Sequence, residues 1–223
     1  MAINGRNIAE HVAIQLTYVT AYTRCMLQEI LPVFNNLEGR ANTIADEDEA
    51  EAFFNTMEDL RQATINLYTT GIYHLLEQQL MDVCRDRTFF DPKHPVPKDT
   101  DLKTVAAWYK NRLDINLRQL PAWHKIRELE CVANTVKHGE GPSATKLRKI
   151  RPDLFEHPVT RTILPKSSWN AVQEDPLELR SPLAGDLYIT KEQFAEFAGT
   201  AEKFLREIVD YFEKHADEYY PRE

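Results

Sequence analysis

Glycine is scarce in this chain. Seven occur in 223 residues, and none forms a Gly-x-Gly-x-x-Gly run or a P-loop. A dinucleotide turn or a backbone cradle for nucleotide phosphates is therefore missing. Cysteine is scarcer still: Cys25, Cys84 and Cys131 lie far apart, each in a predicted helix, with no Cys-x-x-Cys pair. That excludes the common zinc and dithiol arrangements and fits buried thiols in a reducing cytosol. No Glu-x-x-His occurs anywhere, so the di-iron and di-manganese bundles, which need that pair on two helices, are excluded as well. His74-Leu-Leu-Glu77 runs in the opposite order, and the His-Glu-x-x-His of zinc peptidases is absent. With no nucleophile motif either, no cofactor and no metal are expected. No segment carries the roughly 18 apolar residues of a membrane span, and the opening Met-Ala-Ile-Asn-Gly-Arg-Asn lacks a basic start followed by an apolar run. The expectation is a cytoplasmic protein with no membrane partner.

The charge is unevenly spread. A formal net charge of -8 argues against coating nucleic acid by bulk electrostatics. Acid concentrates in Asp46-Glu-Asp-Glu-Ala-Glu51 and in the last helix. Between Lys137 and Lys166, by contrast, Lys137, Lys146, Arg148, Lys149, Arg151, Arg161 and Lys166 face only Glu140, Asp153 and Glu156. This basic stretch is either a local phosphate site or a solvated loop on an acidic protein.

Apolar residues recur at helical spacing along most of the chain. Ile8, Val12, Leu16, Val19, Tyr22, Met26, Ile30 and Val33 predict a helix over about 5–35, followed by a loop from Asn35 to Ala45. Asp46 caps a second, long helix whose inner face is Phe53, Met57, Leu60, Thr64, Leu67, Tyr68, Ile72, Leu75, Gln79 and Val83, with Gly71 at a bend or a close helix approach. Pro92, Pro95 and Pro97 end it. A third helix follows Asp101, and Pro121 opens a fourth that Gly139 closes. Ser143 is the expected cap of a short helix reaching Ile150, and 151–187 is an irregular, proline-interrupted insertion. Thr190 and Gln193 then form a capping box for a final helix to about Glu218. Phe194, Phe197, Phe204 and Phe212 on that helix are core residues rather than a stacking platform for bases. The reading is all-α: one domain over 1–223, a bundle of about five main helices with a long loop before the last.

Reactive groups converge on the fourth helix. On a wheel Ile126, Leu129, Ala133 and Val136 form an apolar stripe, and Arg127, Cys131, Asn134 and His138 form a second stripe roughly 150° away. The second is left to face water, a partner chain or a polyanion. An imidazole near a helix end, with an amide one turn earlier, an adjacent lysine and an arginine farther back on the same face, can orient a phosphodiester, take a proton from a ribose hydroxyl and neutralise developing charge. The helix end itself presents carbonyls, so any phosphate must be held by Lys137, Arg127, Arg148 or Arg151, with Lys146 beside them. The plainer alternative is that Lys137 and His138 simply complement the helix dipole before a glycine stop. A mid-helix asparagine opposite the core argues for the first. His74 and Glu77, one turn apart, are a supporting pair, or else an ordinary hydrogen bond between helices or a wet face. Arg151 and His157 stand six apart, but Pro152 breaks a helix through them.

The segment Leu129-Glu-Cys-Val-Ala-Asn134-Thr-Val-Lys137-His138-Gly139, preceded by Gly71-Ile-Tyr-His74-Leu-Leu-Glu77, resembles the motif region of the HEPN superfamily, small all-α domains of bacterial defence and toxin systems. The resemblance covers the central third of the chain. It implies a helical homodimer in which the motif helices of two protomers meet, and a metal-independent endoribonuclease whose signature is an arginine followed after four to six residues by a histidine. Asn134 and His138 match motif positions. The arginine does not, because Ala133, Val132 and Cys131 occupy its places and Arg127 lies farther back. The expected activity is therefore either RNA cleavage at His138, with Asn134, Lys137 and Arg127, or a non-catalytic helical module that binds a partner protein of a defence system.

Overall fold

A computed structural model describes residues 3–86, 93, 95–99, 101–156 and 187–220. The fold is all-α, as the periodicity predicts. The helices are α1 (Gly5–Cys25), α2 (Leu37–Ala41), α3 (Glu47–Arg85), α4 (Leu102–Leu113), α5 (Trp123–His138), α6 (Pro142–Ile150) and α7 (Lys191–Lys214). Among the described residues the only strand pairing is two residues long: β1 (Ile3–Asn4) runs antiparallel to β2 (Tyr219–Tyr220), with Ile3 opposite Tyr220 and Asn4 opposite Tyr219. α7 ends at Lys214 instead of reaching the expected Glu218, and the chain turns over 215–217 before β2. Residues 157–186, most of the expected insertion, lie outside the described residues, as do Pro92, His157, Arg161 and Lys166.

The expected first helix is divided. After Cys25 it widens into a π turn (Met26–Ile30), where Leu31 N–H donates to Met26 O, and then tightens into a 3-10 turn (Leu31–Phe34). Pro32 is the cause, because it lacks the N–H and its ring crowds the carbonyl four residues back.

Local capping follows the residue types. Asp46 Oδ1 accepts from Glu49 N–H at 2.9 Å. Asp101 Oδ1 accepts from Thr104 N–H at 3.0 Å, and the Thr104 hydroxyl that also donates to this carboxylate holds its pKa below the usual value. The Thr190–Gln193 box is reciprocal, at 2.8 and 3.2 Å. Around α6, the cap is Gly141 rather than Ser143, with Pro142 in the first turn. Pro121 likewise precedes α5 instead of entering it.

The chain divides into two compact units, each discontinuous in sequence. One comprises Met1–Thr23, Gly71–Leu129 and Ala195–Glu223. Its core is fully buried Ile8, Val12 and Val19 of α1, Ile72, Leu76 and Leu80 of α3, Leu102, Tyr109 and Leu113 of α4, and Phe204, Ile208 and Phe212 of α7. Buried Tyr109 donates its hydroxyl to Leu80 O at 3.2 Å, and Trp123 sits 6.1 Å from the Phe204 ring. At Gly71 a methyl group would lie 2.8 Å from Tyr22 Cζ, so the missing side chain makes room for the Tyr22 phenol.

The other unit comprises Arg24–Thr70 and Glu130–Phe194. Within it the inner face expected for α3 needs correction. Leu60 and Leu67 are 45% and 65% exposed, whereas Ile65, Asn66, Thr69 and Thr70 are buried. The inward face there is polar and internally satisfied. Asn66 Nδ2 donates to Leu187 O at 2.8 Å, and Gln62 Nε2 donates to both Asn66 Oδ1 and Ile189 O at 3.1 and 3.0 Å. Thr69 and Thr70 return their hydroxyls to the carbonyls of Ile65 and Asn66. Two carboxamides thus pin the extended stretch Leu187–Ile189, whose side chains are buried, and supply the hydrogen bonds that a buried non-helical backbone requires.

Thiol chemistry gives a direct check on the packing. Cys25 is exposed, while Cys84 and Cys131 are buried, and burial pushes the Cys84 thiol up to about 12. A thiol reagent at neutral pH is expected to titrate one cysteine in the native protein and three after denaturation. Three fast thiols in the native state would contradict the packing of α3 and α5.

Candidate functional site

The end of α5 is built by a short chain of hydrogen bonds. Thr135 donates its hydroxyl to Cys131 O at 2.8 Å, and Gly139 N–H donates to Thr135 O at 2.8 Å. Gly139 then leaves the helix at φ 65°, a left-handed conformation that glycine adopts without a Cβ clash. The stop falls where the sequence places it. Immediately before it Lys137 and His138 are exposed, and Asn134, one turn back, is half-buried.

The face carrying these groups is less open than a wheel implies. Cys131 is 5% exposed, and Ile126, Glu128, Leu129, Val132, Ala133 and Thr135 are buried with it. The second stripe is therefore corrected: from Lys125 to Val136 no residue of α5 is exposed, and the exposed ones are His124 in its first turn and Lys137 and His138 in its last. Arg127 is half-buried and eleven positions before His138 on the same helix. At the helical rise this separates them by about 16 Å along the axis. Asn134, Lys137 and His138 are brought together, and Arg127 of the same chain is not.

The α6 corner adds cations of two kinds. Lys146 and Lys149 are exposed and form no ion pair with any described residue. Arg148 is engaged, with both terminal nitrogens donating to the Glu140 carboxylate (Nη1 at 2.7 Å) and its guanidinium 4.5 Å over the Phe155 ring. Arg151 forks onto Asp153, with Nε at 2.9 Å and Nη2 at 2.8 Å, and Gln193 Nε2 holds the same carboxylate at 2.7 Å. To receive a phosphate, either arginine must exchange a bidentate carboxylate for it. Lys146 and Lys149 have no carboxylate among the described residues to exchange.

His74 and Glu77 form their hydrogen bond within α3, Nδ1 to Oε2 at 3.0 Å, with side chains 39% and 16% exposed. That geometry can hold an imidazole in one orientation. Among the described residues no group of three His, Cys, Asp or Glu side chains has the spacing to hold a metal ion, and no helix is long and apolar enough to cross a membrane. The Gln62–Asn66 pair was not singled out by sequence. Its only signal is two carboxamides at i and i+4 on a helix, a spacing shared with many solvated pairs.

No family model matches the chain, and no curated protein or solved structure matches it.

Proposed function

We propose that this chain is a HEPN-like helical protein of a bacterial defence, toxin or stress system, and that the α5–α6 corner is where it acts on RNA. The observation that carries the reading is the exposure of Lys137 and His138 together on the last turn of a helix that exposes no residue from Lys125 to Val136, with Asn134 one turn behind and Lys146 and Lys149 exposed on the helix that follows. In this reading His138 takes the proton of a ribose 2′-hydroxyl, Asn134 positions the sugar or phosphate, and Lys137 neutralises the charge that develops on the phosphoryl oxygens. The 2′-oxygen attacks the adjacent phosphorus, the P–O5′ bond breaks, and the 5′-oxygen leaves as a hydroxyl after taking a proton from the protonated His138 or from water, so the products are a 2′,3′-cyclic phosphate and a 5′-hydroxyl.

A second reading is favoured by the placement of the arginines. Arg127 lies about 16 Å along the helix from His138, and Arg148 and Arg151 are held by Glu140 and Asp153. A corner lacking a free arginine suits a non-catalytic module that docks a partner protein. Incubating the 223-residue chain with mixed RNAs in chelator and analysing the ends separates the two. The nuclease reading expects cyclic phosphate ends that disappear in His138→Ala and Asn134→Ala variants of unchanged helicity. Intact RNA with the folded wild-type protein contradicts it and leaves the docking module.

A further inference from the structure

The outward face of α1 is uncharged and partly apolar. From Val12 to Thr23 the helix carries no charged residue in a chain that is 28% charged. One side of it is buried through Ile8, Val12, Gln15 and Val19, and the opposite side exposes Ala13, Ile14, Thr17, Tyr18, Thr20 and Ala21. Ile14 and Tyr18, one turn apart, are 59% and 56% exposed. A face of this kind is a docking surface by composition. What identifies its occupant is the symmetry of the pattern about Thr17.

Four residues before Thr17 is Ala13, and four after it is Ala21. Seven before is Glu10, and seven after is Arg24, both exposed on the same continuous helix. An antiparallel pair of identical helices with its two-fold axis at Thr17 sets each of these residues against its counterpart in the second copy. Alanine then meets alanine, allowing the axes to approach to about 8 Å, the near end of helix packing distances. Glu10 of each copy meets Arg24 of the other, and Ile14 and Tyr18 close over the second copy's Tyr18 and Ala21. Thr17 itself is ready for burial, since its hydroxyl already donates to Ile14 O at 2.6 Å and leaves no donor unpaired. Arg24 is steadied by Nε donating to Gln28 Oε1 at 2.7 Å.

We infer that α1 is a self-association surface, and that a second copy of this chain docks on it antiparallel, centred on Thr17 and fixed in register by two Glu10–Arg24 pairs. The inference does not depend on the RNA reading, because a chain inert towards RNA would pair in the same way.

Sedimentation velocity on the full chain over a concentration series tests it, with far-UV circular dichroism confirming that each variant is folded. Wild type is expected to dimerise. Ile14→Glu with Tyr18→Glu is expected to abolish the dimer. Glu10→Arg and Arg24→Glu are each expected to raise the dissociation constant about tenfold or more, and their combination to restore it, since about 1.4 kcal/mol corresponds to a factor of ten. A Thr17→Cys, Cys25→Ser protein is expected to form an intermolecular disulfide under mild oxidation. A wild type that stays monomeric throughout overturns the proposal. So does a dimer indifferent to Ile14→Glu with Tyr18→Glu, or a charge reversal that the second reversal does not rescue.

Discussion

Gly5→Ala is expected to lower the melting temperature of the protein by roughly 4–12 °C, from a cost of about 2–3 kcal/mol in a chain of this size. The cause is backbone against backbone. A methyl group at Gly5 would sit 2.7 Å from the carbonyl oxygen of Phe212 and 2.8 Å from the carbonyl carbon of His215, while Gly5 N–H already donates to Glu218 O at 3.1 Å. Neither neighbour is the end of a movable side chain, so relief requires the start of α1 to separate from the end of α7, and the β1–β2 pairing beside it to loosen. Gly199 on α7 supplies the control, because it is exposed and a methyl group there meets nothing within 4 Å. Gly199→Ala is expected to raise stability by about 0.5–1 kcal/mol, the usual helix-interior difference. Thermal denaturation of the two variants should move in opposite directions. Equal shifts would contradict the packing of α1 on α7.

On the proposed reading, His138→Ala lowers the rate of RNA cleavage by about 10²–10⁴-fold, the usual contribution of a positioned acid or base. The side chain is exposed and lies beyond the enclosed part of α5, so its loss is expected to leave the stability within about 0.5 kcal/mol of wild type. That separation of effects is what makes the variant informative. Asn134→Ala, one turn earlier and half-buried, is expected to lower activity with a small cost in stability, and Lys137→Ala to reduce activity more at low salt than at high salt, where its attraction for phosphate is already screened. An equal fall in stability and activity for His138→Ala would make the histidine a structural residue.

The helices were legible because burial imposes a 3.6-residue period on any helix with one inward face. Ile8, Val12 and Val19 on α1, Leu102, Val105 and Leu113 on α4, and Phe197, Phe204 and Phe212 on α7 all fall on buried faces. Asp46, Asp101, Thr190 and Gly139 punctuate the chain where their chemistry places them. Two kinds of information were not legible. A wheel gives angle about one axis and nothing of what covers each angle, so Cys131 was assigned to an open face that the structure encloses. Polarity is also read as exposure unless a partner is known, so Asn66, Thr69 and Thr70 were passed over in favour of Leu60 and Leu67. Thr69 and Thr70 return their hydroxyls to their own helix, whereas the partners of Asn66 and Gln62, the carbonyls of Leu187 and Ile189, are more than a hundred residues away in sequence, and no local pattern announces them. At the candidate site the residue types and the helix stop were readable. The commitment of Arg148 to Glu140 and of Arg151 to Asp153 was not, because net charge over a window cannot tell a paired cation from one open to a phosphate.

Isotope-labelled protein titrated with a short single-stranded RNA, followed by backbone and histidine-ring NMR, tests the central claim most directly. Shifts concentrated on Asn134, Lys137, His138, Gly139, Lys146 and Lys149, weakening as salt rises, are the predicted result. Saturating RNA that leaves these resonances in place, or moves only those of a distant surface, would contradict the assignment of the α5–α6 corner to RNA.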